Sequence, residues 1–164
     1  MTQNIADVVR AVQDLIDRGI VSNYAIGGAI GGLFWDEVIS TFDLDIFVML
    51  TDQKGLLIDL GPIYAWATER GFPQSKEHIT ISGIPVQLVP APNPLSEEAI
   101  AQAAEIQLDG TTIRVMRPEY LIAMWLTPPA NTGNRKERAA KLRQSPHVDE
   151  GRLDELLKRY ALSW

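Results

Sequence analysis

Cysteine is absent from the 164 residues. That excludes disulfides, thiolate zinc sites and cysteine nucleophiles. Histidine is nearly absent: His78 and His147 are the only two, far apart in the chain. No run of about 18 apolar residues exists to span a membrane. The start, Met1 to Asp7, lacks the basic stretch and apolar run of a secretory signal, so the expected location is cytoplasmic. Positive charge is also short. Fifteen Lys and Arg face 21 Asp and Glu, for a net charge of -6. A domain built to grip nucleic acid needs clustered cations, and no DNA-binding motif is evident. One local exception is the run Arg135, Lys136, Arg138, Lys141 and Arg143.

What is present suits one folded domain. Hydrophobic residues make up 46%, enough for a chain of this length to bury about two-thirds of its unfolded surface. Residues 3 to 18 carry Ile5, Val8, Val9, Val12, Leu15 and Ile16 at helical spacing. Tyr24 to Ile26 reads as a strand, and Ala29 to Asp36 as a short helix. Phe42 to Leu50 alternates as a strand. Residues 53 to 70 are helical in pattern, with an interruption at Gly61-Pro62. His78 to Ile81 and Ile84 to Val89 form a predicted hairpin around Ser82-Gly83. A helix is predicted from Ser96 to about Glu105, a strand from Thr111 to Val115 and an apolar helix from Tyr120 to Leu126. Two helices, near 135–144 and 149–161, close the chain. The core is expected at about 20–116 and the C-terminal helical part at 117–164, in a single domain.

Two features carry chemistry. Gly27-Gly28 follows a strand directly, and glycine there permits a sharp turn with backbone N–H groups open to phosphate oxygens. Asp43 and Asp45 lie two apart in a strand, so both carboxylates project from one face. Carboxylates that close repel and raise each other's pKa unless a cation lies between them. Mg²⁺ (or Mn²⁺) answers that need, because it takes carboxylates together with substrate phosphates. Other phosphate motifs fail. Gly27 to Gly32 has the glycine spacing of a Walker A loop, but Leu33 stands where the lysine belongs. Ala29 takes the second glycine position of the dinucleotide-binding fingerprint.

The order strand, Gly-Gly turn, short helix and Asp-x-Asp strand resembles the nucleotidyltransferase superfamily, whose core is similar to that of DNA polymerase beta. Tyr24 to Gly28 and then Ser40 to Val48 carry the match. Pro118 to Met124, followed by Arg135 to Arg138, resembles the C-terminal half of small bacterial AbiEii-like and related nucleotidyltransferase proteins. The resemblance implies an α+β (mixed α/β) fold, with a small mixed sheet flanked by helices and further helices at the C-terminus. It implies an NTP substrate and Asp43 and Asp45 as catalytic metal ligands. The nucleotide would contact Gly27, Gly28, Ser40, Thr41, Arg135 and Lys136. The acceptor would be RNA, a protein or a small molecule, with a toxin–antitoxin role among the expectations.

One departure stands out. Active members carry a third carboxylate on a later strand, and the matching position here is Gln87. That acid helps hold the metal that activates the attacking hydroxyl. Two readings remain open: a Mg²⁺-dependent enzyme transferring a nucleoside monophosphate, or a catalytically silent module that binds nucleotide or a partner.

Overall fold

A computed structural model describes residues 2–35, 43–51, 58–128 and 134–164. Its elements run α1 (Thr2–Asp17), β1 (Val21–Gly27), α2 (Gly28–Leu33), β2 (Leu44–Leu50), α3 (Gly61–Glu69), β3 (Gln74–Ser75) and β4 (His78–Ile81). They continue with β5 (Ile84–Pro90), α4 (Pro94–Ala101), β6 (Ala104–Leu108), β7 (Thr111–Val115), α5 (Pro118–Leu126), α6 (Arg135–Arg143) and α7 (Glu150–Arg159). The strands form one mixed sheet in the order β3-β4-β5-β2-β1-β7-β6. β2 runs antiparallel to β1 and parallel to β5. β1 and β7 are parallel. The fold class is therefore the expected mixed α/β.

Strand alternation decides which helices cover which face. Leu44, Ile46 and Val48 of β2 join Val8, Val12 and Leu15 of α1 and Trp66 of α3 in one core. Successive residues point the other way, so Phe47 and Met49 pack against a second core formed by α4, α5, α6 and α7. β5 repeats the pattern, with Val86 and Leu88 in the first core. Asp43, Asp45 and Gln87 thus belong to the face that meets α5 and α6. No helix among the described residues is long and apolar enough to cross a membrane.

Several elements differ from expectation: β2 opens at Leu44, which leaves Asp43 just before the strand, and the short β3 has no counterpart in the sequence pattern. The helical pattern over 53–70 becomes helix only from Gly61; residues 58–60 are not helical, and 52–57 lie outside the described residues. Pro62 lacks an N–H and has a fixed φ, which suits the first turn of a helix and not its interior. The predicted helix to Glu105 stops at Ala101, and Ala104–Leu108 is a strand paired with β7. Asp109 and Gly110 turn between them, both at positive φ. Ser82 and Gly83 make the same kind of two-residue turn, as their sequence predicts.

Charged side chains tie the C-terminal helices down. Glu119 on α5 is 1% exposed. It accepts from Arg152 at 3.2 Å and from the Asp149 N–H at 3.4 Å, fixing the start of α7. Glu98 on α4 accepts from the Arg159 guanidinium and from the Tyr120 and Tyr160 hydroxyls. The Arg159 hydrogen bonds, aided by the two tyrosines, hold the Glu98 carboxyl below its usual value of 4.5. A carboxyl depressed by folding adds stability that is fully present above 4.5 and lost as pH falls through the lower folded value. Acid melts should therefore show Glu98→Gln less stable than wild type at neutral pH, with the gap closing as pH drops below 4.5. A gap constant with pH would contradict the role of the Glu98 charge.

Candidate functional site

The site is a row of side chains across the sheet. In the strand register, Gly27 of β1 lies opposite Asp45 of β2, and Asp45 lies opposite Gln87 of β5. Directly opposed residues share a face. The β4–β5 register pairs Ile79 with Val86, and one step further along it His78 faces Gln87. Asp43 stands one residue before β2, and its carboxylate lines the same cleft. His78 Nε2 lies 3.6 Å from Asp43 Oδ2.

Gly27 and Gly28 give this row its room. A Cβ on Gly27 would stand 2.8 Å from the Phe47 ring and 3.0 Å from Met116 Sδ. A Cβ on Gly28 would stand 2.5 Å from Asp45 Oδ2. Gly28 also has φ +60, a left-handed conformation that glycine adopts without steric cost. The backbone thereby passes close beside the Asp45 carboxylate.

Above the row lies a cleft of about 430 Å³, a size suited to a small organic ligand. Its floor holds Gly28, Asp43, Asp45, His78 and Gln87. Leu121, Met124 and Trp125 of α5 and Arg135 and Arg138 of α6 form the opposite wall. One side is therefore acidic and the other cationic, as binding a metal and a polyanion together demands. Burial pushes the Asp45 carboxyl up, and the neighbouring Asp43 charge pushes it further. His78 and Arg138 oppose that rise. A cation between the two aspartates removes the repulsion. Among the described residues no group of three or more His, Cys, Asp or Glu is assembled to hold a metal alone. A two-carboxylate site leaves coordination positions for substrate oxygens, which is how Mg²⁺ is held in phosphoryl-transfer sites. The donor set fits a hard cation bound with a phosphorylated substrate.

The structure gathers Gly28, Asp43, Asp45, Gln87 and Arg135 into this cleft, with Gly27 opposite Asp45 in the sheet. Ser40 and Thr41 lie outside the described residues. Lys136 is exposed and does not line the cleft among the described residues. On a helix, positions 135 and 138 share a face and 136 turns about 100° away, so Arg138 accompanies Arg135 instead. His78 and Glu77 also line the cleft. The sequence pattern alone leaves both isolated, because only the β4–β5 pairing carries His78 to the row.

Comparisons with known proteins bear on the fold. No protein-family model matches the chain, and no curated protein does. Solved structures do. The antibiotic-resistance factor ANT(2'')-Ia in solution superposes with a TM-score of 0.54 at 16% identity, covering 98% of this chain and 95% of that one. The crystal structure of ANT(2'')-Ia with adenylyl-2''-tobramycin gives 0.52 at 14% identity, covering 98% of each chain. An antigenic nucleotidyltransferase-like protein from Paracoccidioides brasiliensis gives 0.57 at 12% identity, covering 97% of this chain and 86% of that one. With its mixed sheet and helical layers aligned over nearly its whole length to these proteins, the chain has the nucleotidyltransferase fold.

Proposed function

We propose that the cleft binds a nucleoside triphosphate with Mg²⁺ or Mn²⁺ and transfers its nucleoside monophosphate to an acceptor hydroxyl, releasing pyrophosphate. The observation that carries this is the placement of Asp43 and Asp45 on one face beside the Gly27-Gly28 turn, opposite Arg135 and Arg138 in one cleft. Asp43 and Asp45 would hold the cation, which supplies Lewis acidity at the phosphate oxygens. The Gly28 turn, whose lack of a side chain lets Asp45 approach, would offer backbone N–H groups to the polyphosphate. Arg135 and Arg138 place positive charge where the leaving pyrophosphate gathers negative charge. Phe47, Leu121 and Met124 offer apolar surface to the rest of the substrate.

RNA, a protein and a small molecule are the acceptor classes in view. The adenylylated tobramycin held by ANT(2'')-Ia puts the small molecule first in order of testing. The C-terminal likeness to AbiEii-like proteins adds a toxin–antitoxin role, in which induced expression arrests growth. The second reading, a silent nucleotide-binding module, draws on one observation: the register seats Gln87, not an acid, beside Asp45. The test is incubation of the protein with each α-labelled NTP, Mg²⁺ or Mn²⁺ and cell extract. Label appearing in RNA, protein or a small-molecule fraction, and lost in Asp43→Ala, supports the transferase. Nucleotide binding with no label transferred supports the silent module.

A further inference from the structure

We infer that the cleft holds one divalent cation per chain, not two, and that Gln87 is the residue that excludes the second. The inference rests on the metal–nucleotide reading above. It begins from the sheet register. Gln87 lies directly opposite Asp45 on the same face, half-buried in the floor of the cleft. A carboxylate there would close a three-acid set able to bridge two metals; an amide brings no charge and coordinates a hard cation weakly.

The groups around it reinforce the exclusion. His78 lines the same cleft, with Nε2 3.6 Å from Asp43 Oδ2, so an imidazole and not a further carboxylate stands beside the aspartates. Arg135 and Arg138 face the same space from α6. Asp43 and Asp45 with the substrate phosphates suffice to ligate one divalent ion. A second ion placed away from the phosphates needs a further carboxylate, and the row offers none. Glu77 is the one additional acid lining the cleft among the described residues. It sits exposed in the turn before β4, off the Gly27–Asp45–Gln87 line.

The test counts metal directly. Equimolar protein and a non-hydrolysable NTP analogue are dialysed against Mn²⁺, and the Mn²⁺ retained with the protein beyond that in the protein-free compartment is counted by electron paramagnetic resonance after acid release. Folding of each variant is checked by its melting curve. The expected result is one Mn²⁺ per complex in wild type and two in Gln87→Asp or Gln87→Glu. Two Mn²⁺ in wild type would overturn the inference, and a fall from two to one in Glu77→Gln would assign the third ligand to Glu77. One Mn²⁺ in wild type and in both acid variants overturns the role of Gln87. The wild-type count stands whether or not the acid variants fold. No protein-bound Mn²⁺ in wild type defeats the metal–nucleotide reading itself, an outcome distinct from a count of two.

Discussion

Asp45→Asn should lower nucleotidyl transfer by roughly 10³-fold or more while leaving the melting temperature unchanged or higher. The two effects have one cause. Asp45 is drawn into the sheet with only a partly exposed carboxyl, and burial together with Asp43 makes its charged form costly, raising its pKa. A carboxyl whose folded pKa is raised detracts from stability at every pH where it must be ionised in the fold. An amide of the same shape removes that burden. It also removes the oxygen charge that a cation needs, and losing a group that stabilises charge in the transition state costs about 10²–10³-fold even for a single hydrogen-bond donor. A metal ligand carries more of the chemistry than one donor. Loss of activity with retained or increased stability is the expected mark of a site residue held against its own preference. A variant that keeps more than a tenth of wild-type activity, or that loses activity only by unfolding, would contradict this assignment. The assay is label transfer beside a thermal melt of the same preparation.

Gly28→Ala is expected to have the second-largest effect, about 100-fold on transfer together with a loss of at least about 1 kcal/mol of stability. The stability part is conformational: Gly28 has φ +60, and a side chain in the left-handed region costs about 1–2 kcal/mol. The activity part is steric, because the new methyl would sit 2.5 Å from Asp45 Oδ2. Either the carboxylate or the backbone turn must move, and a displacement of about 1 Å in a positioned group can cost about 10²-fold. Gly71→Ala separates the two parts. Gly71 has φ +74 with nothing within 4 Å of an added Cβ, so it bears the conformational cost alone. Its urea midpoint should fall while its transfer rate stays at the wild-type level. Equal activity in Gly28→Ala and Gly71→Ala would show that the contact with Asp45 is immaterial.

The residues that local chemistry dictates were legible in the chain, and those brought together by pairing were not. The Asp43–Asp45 spacing points to one shared site, and both carboxylates do line one cleft, although Asp43 stands just before β2 and not within it. The Ser82-Gly83 turn announces its hairpin directly. Asp109-Gly110 carries the same kind of turn signal, yet Ala104 and Glu105 read as the tail of a helix when the acids at Glu97 and Glu98 are extended too far, and Ile106 to Leu108 as no element. The alternation of Ala104, Ile106 and Leu108 becomes decisive only with β7 alongside. Gln87 is named through the family resemblance, and the parallel pairing of β2 with β5 sets it beside Asp45. His78 enters through a further strand, and Arg138 through the docking of α6 against α5. These last two require the tertiary arrangement before their place at the site can be named.

The central claim is that Asp43 and Asp45 together make a metal–nucleotide site. Thermal melting with Mg²⁺ and each NTP in turn tests it most directly. A ligand at 100 times its Kd adds about 2.7 kcal/mol, which for a domain of this size raises the melting temperature by roughly 5–10 °C. That rise should appear with at least one NTP, require the divalent cation, and disappear in the Asp43→Asn, Asp45→Asn double variant. No shift with any NTP, or an equal shift in the double variant, would contradict the account.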